Sequence, residues 1–221
     1  PKAGRVRVGN ALELPPSRVR GWLNDAIPDP VRGINTASEY GWLDPEPESD
    51  TAAALVELLA HVLAGGTIPE RDFEVAVTEG CHVGVDEIRT AFERVGVETR
   101  VRHHEAKGRS TEVVPAANAT VLGRCLVAMG AVQGDKTAIE QLPPVVREVP
   151  IGVRREFIRI YADHRATTWE SKATLRIQEQ RPQSYLNDLT RLITELTGES
   201  ATVGELAVTV SADAARELGL T

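Results

Sequence analysis

The sequence predicts an α+β fold, one compact body of two pseudo-symmetric αββαββα repeats preceded by an N-terminal arm. Three observations carry this. The apolar residues switch between helical spacing and the two-residue period of strands. The switching occurs twice in one order, with Phe73, Val75 and Val77 offset by one hundred residues from Ala173, Leu175 and Ile177. Finally, text rich in Pro and Gly gives way at Thr51 to nearly continuous apolar sequence. An internal repeat constrains a fold more than any single motif does.

Residues 1–50 read as the arm and its connector. Residues 31–42 fit one short helix, with Asp29 as N-cap and Pro30 at the first helical position. Gly-Trp-Leu occurs at 21–23 and again at 41–43, two apolar anchors for laying the arm on a larger body. Asp44-Pro45-Glu46-Pro47-Glu48-Ser49-Asp50 is an acidic, extended connector.

Residues 51–130 form the first repeat. Positions 51–64 are apolar almost throughout, as in a helix buried on more than one side, and Gly65-Gly66 ends it. Phe73, Val75 and Val77 alternate with Glu74, Ala76 and Thr78 as a strand. Val85, Ile88, Phe92 and Val95 then follow helical spacing until Gly96. Residues 97–103 and 110–114 read as two strands joined by the turn Glu105-Ala106-Lys107-Gly108. Asn118 is placed to cap a helix running to Met129. Residues 131–149 are a linker, and 150–221 repeat the order. A helix over 152–162 precedes the alternation of Ala173, Leu175 and Ile177. Tyr185, Leu189, Leu192, Ile193 and Leu196 make an amphipathic helix stopped by Gly198. A strand pair with Leu206, Val208 and Val210 in its second arm leads to a short helix closing at Leu218.

Within this frame Leu58-Leu59-Ala60-His61-Val62-Leu63-Ala64-Gly65-Gly66-Thr67-Ile68 resembles the first signature helix and turn of the LAGLIDADG homing endonucleases. Gly123-Arg124-Cys125-Leu126 through Gly130, then Gly134-Asp135-Lys136-Thr137, resembles the linker consensus closing that family's first repeat. Leu142-Pro143 and Val153-Arg154-Arg155-Glu156-Phe157-Ile158-Arg159 resemble the approach to its second signature helix. The resemblance covers about residues 51–219. It implies two signature helices packed on a pseudo-twofold axis, each presenting an acid to a metal at its foot, beneath two sheets that form a saddle on duplex DNA.

The implied catalytic positions do not carry acids. Two-metal cleavage needs carboxylates to hold the ions that clamp the attacking and leaving oxygens. The matching positions here are Gly65 and Arg165, and Asp163 falls two residues early, elsewhere on the helix. No metal, no cofactor and no catalytic residue is therefore expected. Asp163 is the remaining catalytic candidate, and a nuclease would have to use displaced acids such as Glu57, Glu70 or Asp163.

The strand alternation supplies the binding candidates. Arg100, Arg102 and His104 share one parity, opposite Val97, Thr99 and Val101. Lys172, Thr174, Arg176 and Gln178 oppose Ala173, Leu175 and Ile177. These faces suit phosphate and base contacts. A half-buried sheet wets one face in any case, and Glu74, Glu98, Glu112 and Glu205 are expected on strands as well. Arg147, Arg154, Arg155 and Arg159 make a second basic cluster, for which a solvated helix face with Glu156 pairing locally is the plainer reading. Lys136, in the linker, is placed to touch a backbone phosphate. His61, His103 and His104 have no metal-ligand spacing.

Composition bounds the function. The 221 residues carry a net charge of −7, which excludes a globally basic nucleic-acid coat but permits a local basic surface. Arginines outnumber lysines twenty-one to four, a bias that suits bidentate phosphate contacts and also follows from genome composition. Cys81 and Cys125 stand far apart, so neither a disulfide framework nor a zinc site is expected. With no transmembrane run and no signal stretch after Pro1, a cytoplasmic monomer is expected.

The expected function is non-catalytic binding of duplex DNA or structured RNA through the two sheet faces, with a possible protein partner for the arm. The alternatives are a ribosome- or replication-associated protein adaptor and a metal-dependent endonuclease with displaced acids. Maturases and transcription regulators on degenerate cores belong to what the resemblance implies. No helix-turn-helix module follows the second repeat, which counts against a regulator.

Overall fold

The computed structural model describes residues 4–23, 26–104, 107–169 and 172–220, with backbone alone at Thr168, Trp169 and Lys172. The arm contributes three helices, α1 (Arg5–Ala11), α2 (Pro16–Trp22) and α3 (Asp29–Glu39). The first repeat follows as α4 (Asp50–Gly65), β1 (Gly66–Thr67), β2 (Ala76–Thr78), α5 (Val85–Arg94), β3 (Thr99–Arg102), β4 (Glu112–Pro115) and α6 (Ala119–Ala128). A 3-10 turn (Lys136–Ala138) and α7 (Val145–Glu148) lead to the second. That repeat comprises α8 (Ile151–Arg165), β5 (Ala166–Trp169), β6 (Lys172–Gln178), α9 (Gln183–Thr197), β7 (Ala201–Val203), β8 (Ala207–Val210) and α10 (Ala212–Glu217).

The two sheets have the same antiparallel order, β1-β2-β4-β3 and β5-β6-β8-β7. Two repeats with one topology are what the hundred-residue offset implies. Helices α4 and α8 end at Gly65 and Arg165, one hundred residues apart, and share the most extensive helix–helix contact of the molecule. Leu55, Leu58, Leu59 and Leu63 of α4 and Phe157, Ile158 and Tyr161 of α8 are completely buried. Each such side chain contributes about 1.5–3 kcal/mol on transfer from water. Ser49 starts α4, its Oγ accepting from the Ala52 amide at 3.1 Å, while Asp50 complements the helix dipole.

Several boundaries differ from the sequence reading, each for a local reason. The first strand shortens to β2 because Phe73 adopts a left-handed backbone, φ +59°, although Val75 and Val77 stay buried. At the end of β3 His103 is also left-handed, so His104 lies in the turn and does not extend the strand face. Only Glu112 of the four glutamates lies on a strand. Glu74 precedes β2, Glu98 precedes β3, and Glu205 sits in the turn between β7 and β8. The turn expected at 105–108 falls partly outside the described residues.

In the arm, α3 begins after Pro28 as N-cap, and Asp29 pairs with Arg32 rather than capping. Trp42 is a buried anchor whose Nε1 donates to Val95 O at 3.0 Å, whereas Leu23 and Leu43 are both 43% exposed. Asn118 occupies the N-cap of α6, but its amide donates to Tyr40 Oη instead of capping. Among the described residues no helix is long and apolar enough to cross a membrane.

Candidate nucleic-acid interface and the feet of the central helices

A helix leaves its last carbonyls without intrahelical partners, and they form the negative end of its dipole. At the foot of α4 three cations answer them. Lys136 Nζ donates to the carbonyls of Val62 (3.4 Å), Leu63 (3.3 Å) and Gly66 (2.5 Å). Arg181 donates to Leu63 O at 2.6 Å, and Arg165 reaches across from α8 to Ala64 O at 2.7 Å. Burial, reinforced by the Arg181 and Arg165 charges, brings the Lys136 ammonium down to about 8. The foot of α8 is met by backbone donors instead, Cys81 N on His164 O at 3.1 Å and His82 N on Asp163 O at 2.8 Å.

The residue at position 65 is determined by His164. A Cβ on Gly65 would stand well inside contact distance of that imidazole, and one on Gly80 would meet Nδ1 at 2.6 Å. His164 Nε2 lies 2.9 Å from His61 Nδ1, and both rings are buried. Burial, helped by His164, lowers His61 to about 3. Burial, helped by Arg165 and Lys136, lowers His164 to about 4. Both are therefore neutral near pH 7. Beside them lies a buried polar network: Tyr161 Oη donates to Glu179, Arg181 Nη1 donates to Tyr161 Oη at 3.0 Å, and the Tyr185 hydroxyl lies 3.3 Å from that of Tyr161. The Arg181 guanidinium also stacks 4.4 Å from the centre of the Tyr185 ring.

This donor set does not fit a divalent metal. The positions that would present carboxylates hold a glycine and an arginine, with Lys136 and Arg181 adding charge of the metal's own sign. Among the described residues no group of three His, Cys, Asp or Glu is arranged to hold an ion. Asp163 is bound by Arg159, whose Nη1 lies 2.6 Å away, and burial raises its carboxyl pKa. The same guanidinium holds Glu156 at 2.6 and 2.9 Å. Glu57 pairs with Arg94, and Glu70 crowds Gly134.

The outward faces of the two sheets differ in charge. In the first, pairing aligns Arg102 with Glu112 and Thr78, and Arg100 with Val114. Arg100 and Arg102 both donate to Glu74, and these hydrogen bonds, that of Arg102 above all, hold the carboxyl below the usual glutamate range. In the second sheet one row reads Thr167, Arg176, Thr209, Thr202, each directly paired with the next. Arg176 and Gln178 are exposed, Leu175 and Ile177 are buried, and none of the four strands contains an acidic residue. Lys172 opens β6, backbone-paired with Trp169.

Other expected candidates have partners within the chain. Lys136 points inward to the helix foot instead of outward, and Asp135 accepts from its neighbour Thr137. Of the second basic cluster, Arg147 bonds Asp188 and Glu195, Arg154 bonds Val149 O, and Arg155 bonds Leu196 O. Glu156 does pair locally with Arg159. Sequence reasoning missed Tyr161, His164, Glu179 and Arg181. The repeat offset was the usable signal for His164, since it aligns with Ala64, one residue before the foot.

Neither a protein-family model nor a curated protein matches the chain. Solved structures do. The N-terminal LAGLIDADG domain of DUF199/WhiA superposes with TM-score 0.52 at 9% identity, over 82% of this chain and 88% of that one. The chain has the LAGLIDADG fold. The homing endonuclease I-WcaI bound to its DNA recognition sequence gives TM-score 0.52 at 8% identity, over 82% of this chain and 83% of that one. I-DmoI in complex with DNA and Mn gives 0.50 at 10% identity, over 77% and 96%. Against full-length DUF199/WhiA from Thermatoga maritima this LAGLIDADG body spans 59% of the longer chain. The three helices α1, α2 and α3 precede the two repeats.

Proposed function

We propose that this LAGLIDADG-fold chain binds duplex DNA across its two sheets and does not cleave it. The observation that carries the reading is the foot of α4, where Lys136, Arg165 and Arg181 engage the carbonyls and His164 fills the space over Gly65. Phosphodiester cleavage by a metal clamp needs carboxylates in that place. Structures of this fold bound to DNA, I-WcaI and I-DmoI among them, support the choice of partner.

The second sheet is the stronger half of the interface. Arg176 and Gln178 stand on an exposed face beside Thr202 and Thr209, and Lys172 belongs to the same strand parity. Arg100 and Arg102 contribute less, because Glu74 already holds them. Recognition is then by backbone phosphates with a few base contacts, and affinity falls with salt as counterions are released.

The test is a mobility-shift titration with duplex DNA, single-stranded DNA and structured RNA from 50 to 200 mM salt, with cleavage followed in parallel in magnesium and manganese. The reading expects steep salt dependence on duplex DNA, weakened by Arg176→Ala, and intact strands throughout. No duplex binding at low salt overturns the binding half. Metal-dependent cleavage lost on Asp163→Asn overturns the other half.

A further inference from the structure

Helices α1 and α2 pack on each other as a compact hairpin, joined by only four residues, Leu12 to Pro15. The joint is tightly specified. Leu14 N donates to Gly9 O at 2.9 Å and Glu13 N to Asn10 O at 3.3 Å, with Glu13 left-handed at φ +55°. This is the paired closure that ends a helix and turns the chain sharply. Gly9 is buried because the returning chain leaves no room for a side chain: a Cβ there would stand 2.8 Å from Leu14 O. Val19 of α2 is 1% exposed and anchors the second helix, with Val8, Leu14 and Trp22 half-buried around it.

Besides the apolar Val6, Leu12 and Leu23, what this hairpin exposes is mainly basic. Ser17, Arg18 and Arg20 of α2 and Arg5 and Arg7 of α1 are all exposed. Residues 4–23 hold four arginines against one glutamate, in a chain whose net charge is −7. Among the described residues no ion pair or side-chain hydrogen bond holds Arg5, Arg7, Arg18 or Arg20, in contrast to the arginines of α8. A short turn between two short helices, a second helix anchored by Val19 and unpartnered arginines on either flank of that buried residue together suit docking of the helix pair on duplex DNA.

We propose that α1–α2 is a helix-turn-helix element that reads duplex DNA, with α2 in the major groove and Ser17, Arg18 and Arg20 toward bases and phosphates. A helix with its side chains is about 10–12 Å across, which suits a major groove about 12 Å wide. Arginine is the side chain that grips guanine bidentately, so α2 supplies sequence preference as well as charge. The element stands before the two repeats, so it gives the chain a second DNA contact separate from the sheets.

The experiment selects duplexes from a random library with the full chain, then footprints the winners with wild type, R18A/R20A, R18K/R20K and Arg176→Ala. Folding is checked by far-UV circular dichroism, and alanine keeps a helix intact. For R18A/R20A the proposal expects loss of protection and base preference over one block of about three to four base pairs, and affinity about tenfold weaker or more. The lysine pair is expected to keep the salt slope and lose the base preference. A block that R18A/R20A removes while Arg176→Ala spares it supports the element, even if no sheet footprint is found. An unchanged footprint and preference in R18A/R20A overturns it while leaving sheet binding standing. Absence of any duplex binding overturns both.

Discussion

His164 occupies the space that any side chain on Gly65 would need. The two residues come from different repeats, so the bare glycine at the first foot and the imidazole beside the second are one packing arrangement. Gly65→Asp is therefore expected to destabilise the fold by about 1–3 kcal/mol through overpacking. Adding His164→Ala should recover much of that loss, a coupling readable as a double-mutant cycle in urea midpoints. Neither variant is expected to gain a metal-dependent shift in melting temperature, because Lys136, Arg165 and Arg181 remain.

The buried imidazole pair sets a pH dependence. In the unfolded chain both rings take up protons as pH falls below about 6.5, whereas in the fold they do so near 4 and 3. The unfolded state thus binds more protons between these values. Stability present above pH 6.5 is lost as pH falls toward 4, at roughly 1.4 kcal/mol per pH unit for each proton taken up. Denaturant midpoints at pH 7 and pH 5 should show the drop. The variant H61Q/H164Q should flatten it.

Glu74 restrains the first sheet. Its carboxylate accepts from both Arg100 and Arg102, and those arginines keep it ionised. Glu74→Gln removes one negative charge from the surface and releases two cations toward phosphate. Duplex affinity at 50 mM salt is expected to rise about three- to tenfold, with a steeper salt slope. A fall in affinity would mean that Glu74 positions the arginines.

Arg181 and Glu179 are 4% and 3% exposed. Arg181→Met leaves Glu179 buried without its cation and Leu63 O with Lys136 as its remaining donor, and should cost about 3–5 kcal/mol. Adding Glu179→Gln should recover part of that loss by removing the orphaned charge. Urea unfolding at pH 7 measures both.

How far the sequence carried the fold follows from what its signals depend on. Helix α4 was legible because nearly every position in it is apolar, and the repeat was legible because α8 and β6 preserve the spacing of α4 and β2. Trp42 was readable as an anchor from its flanking motif. The helices α1 and α2 were not, since seven-residue elements hold too few turns for a period to show. The candidate site was only half readable. Arg176 and Gln178 lie on the exposed face that alternation gives them. Lys136 turns inward because the demand of the α4 carbonyls is a tertiary fact. Arg181 and Glu179 follow β6 where its alternation ends, so no periodicity marks them as buried.

The feet of the central helices also explain why the two halves belong on one chain. Counting by the hundred-residue offset, Ala64 answers to His164 and Gly65 to Arg165. The small residues of one half receive the large residues of the other. Two copies of the second half brought together about the same axis would set the histidine of each against the arginine of the other. Two copies of the first would leave a void. The junction is thus a heterologous match inside a pseudo-symmetric frame, like two gears cut to mesh only with each other. Covalent fusion keeps the unequal partners at one-to-one stoichiometry, and that permits each half to specialise without the other having to copy it.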